Sequence, residues 1–175
     1  MKEYARARIC EIGCGETKQF NNSIGIDMRI TGKTDVIADA RKLPFKDESF
    51  DYIYSSHIIE HFSHEEVESV LIEWIRCLKE EGGFELRCPD LRARALIFFL
   101  RPSWDNIKNI YGEQNYKGNY HSCGFAYNLI KEKLELNGIT NVKRILDGYK
   151  CIPFIPCDLH IKGIKHRDFH TGAEE

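Results

Sequence analysis

The sequence predicts an α/β domain in three layers, with helices on both faces of a mostly parallel sheet of about seven strands. Three observations carry that prediction. Short apolar runs recur through the first half of the chain, and each ends in an acid, a glycine or a serine, as buried parallel strands do at the carboxyl edge of an open sheet. A long amphipathic helix stands between two of these runs, forming a strand, helix, strand unit. The chain has 175 residues, a length that buries roughly 70% of the surface of its unfolded form, so one core is sufficient.

The first two strands are Ile9 to Ile12 and Ile24 to Asp27, separated by a polar stretch containing Gly13 and Gly15. A third run, Val36 to Ala38, ends in Asp39, and a fourth runs from Phe50 to Ser55. The helix starts at Ser63, where S-H-E-E offers a capping box with Glu66 three residues on. Val67, Val70, Leu71, Trp74, Ile75 and Leu78 then recur at helical spacing. Gly82 and Gly83 are expected to end that helix, with FELRC as the fifth strand. Asp90 can cap a further helix through Leu100, stopped by Pro102. Residues 103 to 121 read as a surface excursion without a helix. Phe125 to Asn137 forms another amphipathic helix closed by Gly138, and Val142 to Leu146 and Leu159 to Ile164 are the late strands, the last one antiparallel. The tail from His166 is expected to fray. No repeat or composition shift divides the chain, so residues 1–175 are read as a single domain, with 8–90 one half and 91–175 the other.

Composition narrows the function. The chain has 25 basic and 27 acidic residues and a net charge of −2, which leaves no surplus to neutralise a nucleic-acid backbone. Nucleic acid is therefore disfavoured as a partner. The longest apolar run, Ala95 to Leu100, falls far short of the roughly 20 residues a membrane helix needs, and no signal peptide is evident. A cytoplasmic protein with no membrane partner is expected. The seven cysteines include no C-x-x-C pair and are read as small reduced hydrophobes.

The string E-I-G-C-G-E-T at 11–17 carries the most chemistry. Gly13 and Gly15 lack a Cβ, so the chain can turn sharply and bring backbone N–H groups close to a ligand. Asp27, Asp39 and Ser55 close the next three strands along the same edge, the arrangement a nucleoside needs for its ribose hydroxyls and base. A dinucleotide fingerprint requires glycine at 18, where Lys18 stands, so a nicotinamide cofactor fits poorly.

EIGCG, IGIDMR, ADARKLPFKDESFDYIYSSHIIEHF and IRCLKEEGGFELRCPDL, in that order, resemble the motifs of the class I S-adenosylmethionine-dependent methyltransferases. The likeness runs over about residues 8–90 and more loosely to 165. Gly124-Phe125 to Ile130-Lys131 is similar to a segment of small methyltransferases found alongside sugar-modifying enzymes. The resemblance implies a Rossmann-like fold and methyl transfer from S-adenosylmethionine to an oxygen or nitrogen of a small molecule or glycan. It implies backbone contacts from Gly13, Cys14 and Gly15 to the methionine arm, with Glu11 bracing the loop. Asp27 would hold the ribose, Met28 would pack on the adenine, Asp39 and the Ala40 amide would read its amino edge, and Ser55 would lie under the sulfonium. Glu16 to Asn22 is too short for the usual crossover helix, Thr17 replaces a third glycine, and N-terminal lid helices are absent. That leaves an open site or one closed by a second copy in a homodimer.

H-I-I-E-H at 57–61 admits three readings. Alone, it has the reversed-order zinc hydrolase pattern, with His57 and His61 on one helix face and Glu60 as base. Within the methyltransferase reading, His57 is the candidate catalytic base, and His61 and His121 face the substrate. Some O-methyltransferases that the pattern resembles hold a divalent metal through E-x-x-E-H here; His57 replaces the first glutamate, which leaves Glu60, His61 and His121 as a metal alternative. The preferred expectation is no metal, with Glu60-His61 capping the turn into the Ser63 helix. Arg87, Arg92, Arg94 and Arg101 offer an anion-binding cluster, against which we set solvated helix faces. A binding module that keeps the cofactor but not the turnover is the remaining alternative.

Overall fold

The computed structural model describes residues 7–147, 150–152 and 155–166. Nine strands and four helices are assigned among them: β1 Ile9–Ile12, β2 Ile24–Asp27, β3 Val36–Ile37, β4 Phe50–Ser56, α1 Glu66–Cys77, β5 Leu78–Pro89, α2 Leu91–Leu100, α3 Trp104–Tyr111, α4 Tyr127–Leu136, β6 Ile139–Arg144, β7 Lys150–Ile152, β8 Ile155–Pro156 and β9 Asp158–Lys165. A 3-10 turn at Ile59–His61 follows β4. Seven strands make one sheet in the order β3-β2-β1-β4-β5-β9-β6, and β7 and β8 pair separately. β1 to β5 pair in parallel, and β9 inserts antiparallel between β5 and β6. The Rossmann-like α/β sheet of seven strands is the one expected.

Alternation along the strands sends Cys10, Ile12, Ile53, Phe84, Leu86 and Ile161 to one face, where they share a core with Val67, Val70, Leu71 and Trp74 of α1 and Ile130 and Leu134 of α4. Each such side chain contributes roughly 1.5–3 kcal/mol by leaving water. Trp74 is fully buried, and its indole N–H donates to the Ala40 carbonyl at 2.8 Å, tying α1 to the segment after β3. On the opposite face Ile9, Tyr52 and Tyr54 form a second cluster packed by Phe20 and Ala7. Where helices were expected on both faces, this cluster is covered by loop residues, because the connection from β1 to β2 is too short for a helix.

Several boundaries differ from the sequence expectation. The Ser63 capping box forms: the Ser63 amide donates to Glu66 Oε2 at 2.9 Å and the Glu66 amide to Ser63 Oγ at 3.3 Å. The helix, however, ends at Cys77 and not at Gly82. The Glu48 and Ser49 amides take the carbonyls of Arg76 and Cys77 at 2.9 Å each, and Leu78 pairs with Phe50 in the sheet. Tyr52 next pairs with Gly83, so residues 79–82 bulge out of register. A Cβ at Gly83 would come within 2.4 Å of the Tyr52 ring, which explains a glycine there better than a helix stop. The excursion after Pro102 contains α3, capped by Ser103 Oγ accepting from the Asn106 amide at 3.2 Å. The segment 148–158 between the two late strands, expected as a loop, holds β7 and β8. Cys157, at the junction of β8 and β9, is disulfide-bonded, a correction to the all-reduced expectation. Cys10, Cys14, Cys77, Cys88 and Cys123 are free. Residues 167–175 of the expected frayed tail lie outside the described residues. Among the described residues no helix is long and apolar enough to cross a membrane.

Candidate functional site

The carboxyl ends of β1, β2 and β3 meet through main-chain bonds. The amides of Gly13 and Cys14 both donate to the Ile26 carbonyl, at 2.8 and 3.0 Å, and the Ala38 amide donates to the Asp27 carbonyl at 3.1 Å. Gly13 and Gly15 adopt left-handed φ values of 73° and 52°, the conformation for which their missing Cβ was singled out. Asp27 is 9% exposed. Its carboxylate closes the loop: Oδ2 accepts from the Gly15 amide at 3.0 Å and Oδ1 from the Arg29 amide at 2.9 Å. Glu11, buried beneath, accepts from the Gln19 amide at 2.6 Å and from Ser23 Oγ at 2.9 Å.

One expectation changes here. The N–H groups of Gly13, Cys14 and Gly15 are committed to Ile26 and Asp27, and the Cys14 and Gly15 carbonyls accept from the Thr17 amide and Thr31 Oγ1, so these amides are already partnered within the protein. With no helix after β1, these amides find partners on the neighbouring strand and do not stand at a helix N-terminus. Cys14 turns its thiol inward to the Lys33 carbonyl. Lys18 donates to the Ser23 carbonyl at 2.9 Å and pairs with Asp35. A Cβ on Gly15 would meet nothing within 4 Å, whereas one on Gly13 would lie 2.0 Å from Ile58 Cγ1. The space beside Gly15 is therefore open, with Ile58 packed over Gly13.

Met28 projects 64% exposed at the rim. Asp39 forms a turn in which its Oδ1 accepts from the Arg41 amide at 2.9 Å. Burial pushes its pKa up, but the bonds from Arg41 outweigh this and hold it below the usual carboxylate range. The Ala40 carbonyl belongs to Trp74, and Ser55 is fully buried with its Oγ lacking a hydrogen bond.

His57 lies just past β4 at a left-handed φ of 56°, its amide held by the Arg87 carbonyl at 2.9 Å. Its Nδ1 stands 3.2 Å from Glu60 Oε1 and its Nε2 3.7 Å from Asp158 Oδ2. The Glu60 carboxylate raises the His57 pKa, against the lowering effect of burial. The zinc hydrolase arrangement fails here, because the 3-10 turn spans three residues and His57 lies outside it, so His57 and His61 share no helix face. The ligand-bearing atoms that do cluster are those of Glu60, His61 and His121. Capping of α1 falls to Ser63 and Glu66, with no part taken by the Glu60 carboxylate.

Asp158 was missed in the sequence, because only the insertion of β9 beside β5, with Pro89 opposite Asp158, brings it to His57. Tyr116, in the excursion after Pro102, stacks on the Arg29 guanidinium at 4.7 Å. The Tyr120 carbonyl meets His61 Nδ1 at 2.9 Å, so the excursion reaches from the β2 rim to the turn after β4. The arginines do not converge: Arg87 pairs with Asp147 at 3.1 Å, Arg94 pairs with Asp158 at 2.9 Å, and Arg92 and Arg101 are exposed.

Comparison with known proteins agrees with this geometry. Residues 10–86 match the family model described as a methyltransferase domain. A methyltransferase from Archaeoglobus fulgidus, dependent on S-adenosylmethionine, superposes with a TM-score of 0.61 at 18% identity, covering 90% of this chain and 86% of that one. The fold is that of the S-adenosylmethionine-dependent methyltransferases. One such enzyme from Mesorhizobium loti gives a TM-score of 0.61 at 19% identity, covering 91% of each chain. The 1,6-didemethyltoxoflavin-N1-methyltransferase of Burkholderia thailandensis, solved with S-adenosylhomocysteine, gives 0.61 at 12% identity, covering 92% of this chain and 72% of that one. An uncharacterised protein of Methanocaldococcus jannaschii is 34% identical over 88 residues, which are 43% of this chain and 34% of that protein. The chain thus spans about a third of the length of the curated relative it matches.

Proposed function

We propose that the chain is a methyltransferase that uses S-adenosylmethionine and acts on an oxygen or nitrogen of a small molecule or glycan. The observation that carries this reading is the Gly13–Gly15 loop, closed by the Asp27 carboxylate beside the open space at Gly15. Each Asp27 oxygen accepts one amide bond, and a carboxylate offers about four lone-pair sites, so two acceptors remain for vicinal ribose hydroxyls. Met28 lies where an adenine ring would rest, with Asp39 and the Ala40 amide at its edge.

When bound, S-adenosylmethionine supplies an electrophilic methyl group on a good leaving group, and the protein contributes mainly alignment and exclusion of water. Ser55 closes the floor of the pocket. His57 takes the acceptor's proton, and the Glu60 carboxylate at its Nδ1 orients the ring and favours the imidazolium that results. His61 and His121 border the acceptor. The sugar-linked subgroup is supported by the Gly124–Lys131 segment alone. Gly124 there also has a packing reason, since a Cβ on it would meet Leu91 Cδ2 at 2.6 Å.

Titration calorimetry with S-adenosylmethionine and S-adenosylhomocysteine tests the reading. Binding is expected in the native chain, weakened in Asp27→Asn by about 1–3 kcal/mol, roughly 5- to 150-fold. Equal affinity in the two proteins would overturn it. Tight binding without transfer to any member of a broad hydroxyl and amine acceptor panel would favour the non-catalytic module.

A further inference from the structure

From the outer face of α2 and the turn that follows it, we infer a docking surface for an anionic phospholipid bilayer. The helix is turned the reverse of the usual way. Ala93, Arg94, Ile97 and Phe98 are buried or half-buried, while Arg92, Ala95, Leu96, Phe99 and Leu100 are exposed. The exposed set recurs at spacing i, i+3, i+4, i+7 and i+8, one continuous stripe, and a surface helix ordinarily carries polar residues there. Phe99 is 81% exposed, Leu100 58% and, past the turn at Pro102, Trp104 78%. Single exposed apolar side chains are ordinary, but a contiguous group of large ones marks a surface that meets something other than water.

Charge decides what it meets. From Leu91 to Trp104 the sequence has three arginines and no acid, although the whole chain carries a net charge of −2. Arg94 turns inward and pairs with Asp158 at 2.9 Å. Arg92 and Arg101, which take no part in the candidate site, bracket the apolar stripe; both are exposed and neither has an acidic partner among the described residues. Asp105, the next acid along, lies in the first turn of α3, where helix amides offset its charge. Phe, Leu and Trp flanked by cations is the composition of helices that lie at the boundary between headgroups and acyl chains, and the amphipathic Trp ring favours that boundary. The guanidinium groups pair with lipid phosphates, for which their geometry is suited.

A second copy of the chain fits this face less well. Packing two such stripes together sets Arg92 against Arg92 or against Arg101, according to direction, and like charges brought together oppose the contact. Side chains standing this far out on a helix–helix turn also offer no concave surface for a protein partner to fill, whereas an acyl layer needs no such fit. At ten residues α2 is far too short to span a bilayer, so it lies along the surface. The expectation of no membrane partner rested on the lack of a spanning run, and a peripheral contact requires none. Leu91 and Arg94 of the same helix line a small cavity with Glu60 and His121, so docking holds that cavity beside the lipid. The surface stands whether or not the chain transfers a methyl group.

The test uses the full chain and vesicles of phosphatidylcholine containing about 30% phosphatidylglycerol. The two tryptophans of the chain make the readout specific, because Trp74 is fully buried and Trp104 is exposed. Vesicles should shift Trp104 emission to the blue and shield it from acrylamide, and the chain should float with the lipid. Phe99→Ser should weaken partition about 10-fold or more, and Arg92→Gln and Arg101→Gln about fivefold each. All three side chains are exposed, so these variants should fold, with circular dichroism as the check. Leu136→Ser, exposed on α4, should bind as the native chain does. Absence of a blue shift, equal partition onto phosphatidylcholine alone, or native-strength partition in Phe99→Ser would overturn the assignment. A dimer in sedimentation that Phe99→Ser dissociates, with no vesicle binding, would overturn it in favour of a second copy.

Discussion

At Gly13 two constraints coincide. Its φ of 73° is costly for any residue with a Cβ, and the space a Cβ would fill is already held by Ile58, 2.0 Å away. Gly15 shares only the first, since nothing lies within 4 Å of its Cβ position. Gly13→Ala should therefore destabilise the fold by about 2–4 kcal/mol and Gly15→Ala by about 1–2 kcal/mol. At this chain length that corresponds to thermal midpoints lowered by roughly 4–16 °C and 2–8 °C. A scanning-calorimetry order with Gly15→Ala the more damaged would contradict the packing of Ile58 on the loop. His57 raises a different question, because it contacts no part of the glycine loop in the bonds described. His57→Asn should leave the calorimetric affinity for S-adenosylmethionine within about twofold while lowering transfer to a hydroxyl acceptor on the order of 100-fold. Parallel losses in both would place His57 in cofactor binding. Gly13, Asp27 and Glu11 were legible in the sequence because their partners lie within about 20 residues along adjacent strands. Asp158 was not, because its position depends on an antiparallel strand inserted from the far end of the chain.

Elements show where local signals lose to the sheet. Gly82-Gly83 reads as a helix stop, yet the helix has already ended at Cys77 because Leu78 gains a strand partner in Phe50 and two helix carbonyls gain amides from Glu48 and Ser49. Propensity is a weak prior wherever such tertiary partners are available. The capping box at Ser63 and the Asp90 cap, with its side chain accepting from the Arg92 amide at 3.1 Å, were legible because both are complete within four residues. The excursion was only half legible. Its polar, aromatic composition marked a surface segment, but α3 and the contacts of Tyr116 and His121 depend on chain folded far from it in sequence. The Tyr116–Arg29 stack joins this segment to the loop after β2, so under the proposed function it would form an edge that slows cofactor escape. A partly exposed cation–π contact is worth roughly 0.5–1 kcal/mol, and Tyr116→Ala should accelerate S-adenosylhomocysteine release by about two- to fivefold in stopped-flow fluorescence. An unchanged rate would separate the excursion from the cofactor.

Across the whole molecule the two faces of the sheet solve different problems. One is apolar and holds α1 and α4. The other, with loop in place of a helix, carries a polar network across β4, β5 and β9. The Tyr52 hydroxyl donates to Glu85, Glu85 Oε1 lies 2.7 Å from His160 Nε2, and Lys162 Nζ lies 2.9 Å from Glu85 Oε2. The other nitrogen of His160 lies 2.7 Å from Asp147, which also pairs with Arg87. Burial alone would push Glu85 up, but the bonds from His160, Tyr52 and Lys162 prevail and bring its pKa down to about 2 from 4.5. A carboxylate depressed on folding adds stability that is complete above its unfolded value and fades as the pH falls through its folded one. The contribution of Glu85 is thus present at pH 7, declines below about pH 4.5 and is gone near pH 2; its size is on the order of 3 kcal/mol. Other carboxylates, Asp51 and Glu73 among them, are depressed in the same sense, so the native acid transition sums several groups. The decisive quantity is the difference between the native chain and Glu85→Gln in urea unfolding at a series of pH values. Glu85→Gln should be less stable at pH 7, and the gap should narrow steadily between pH 5 and pH 2. A gap independent of pH would mean that the glutamate is held by packing, and that the face without a helix does not depend on its charge.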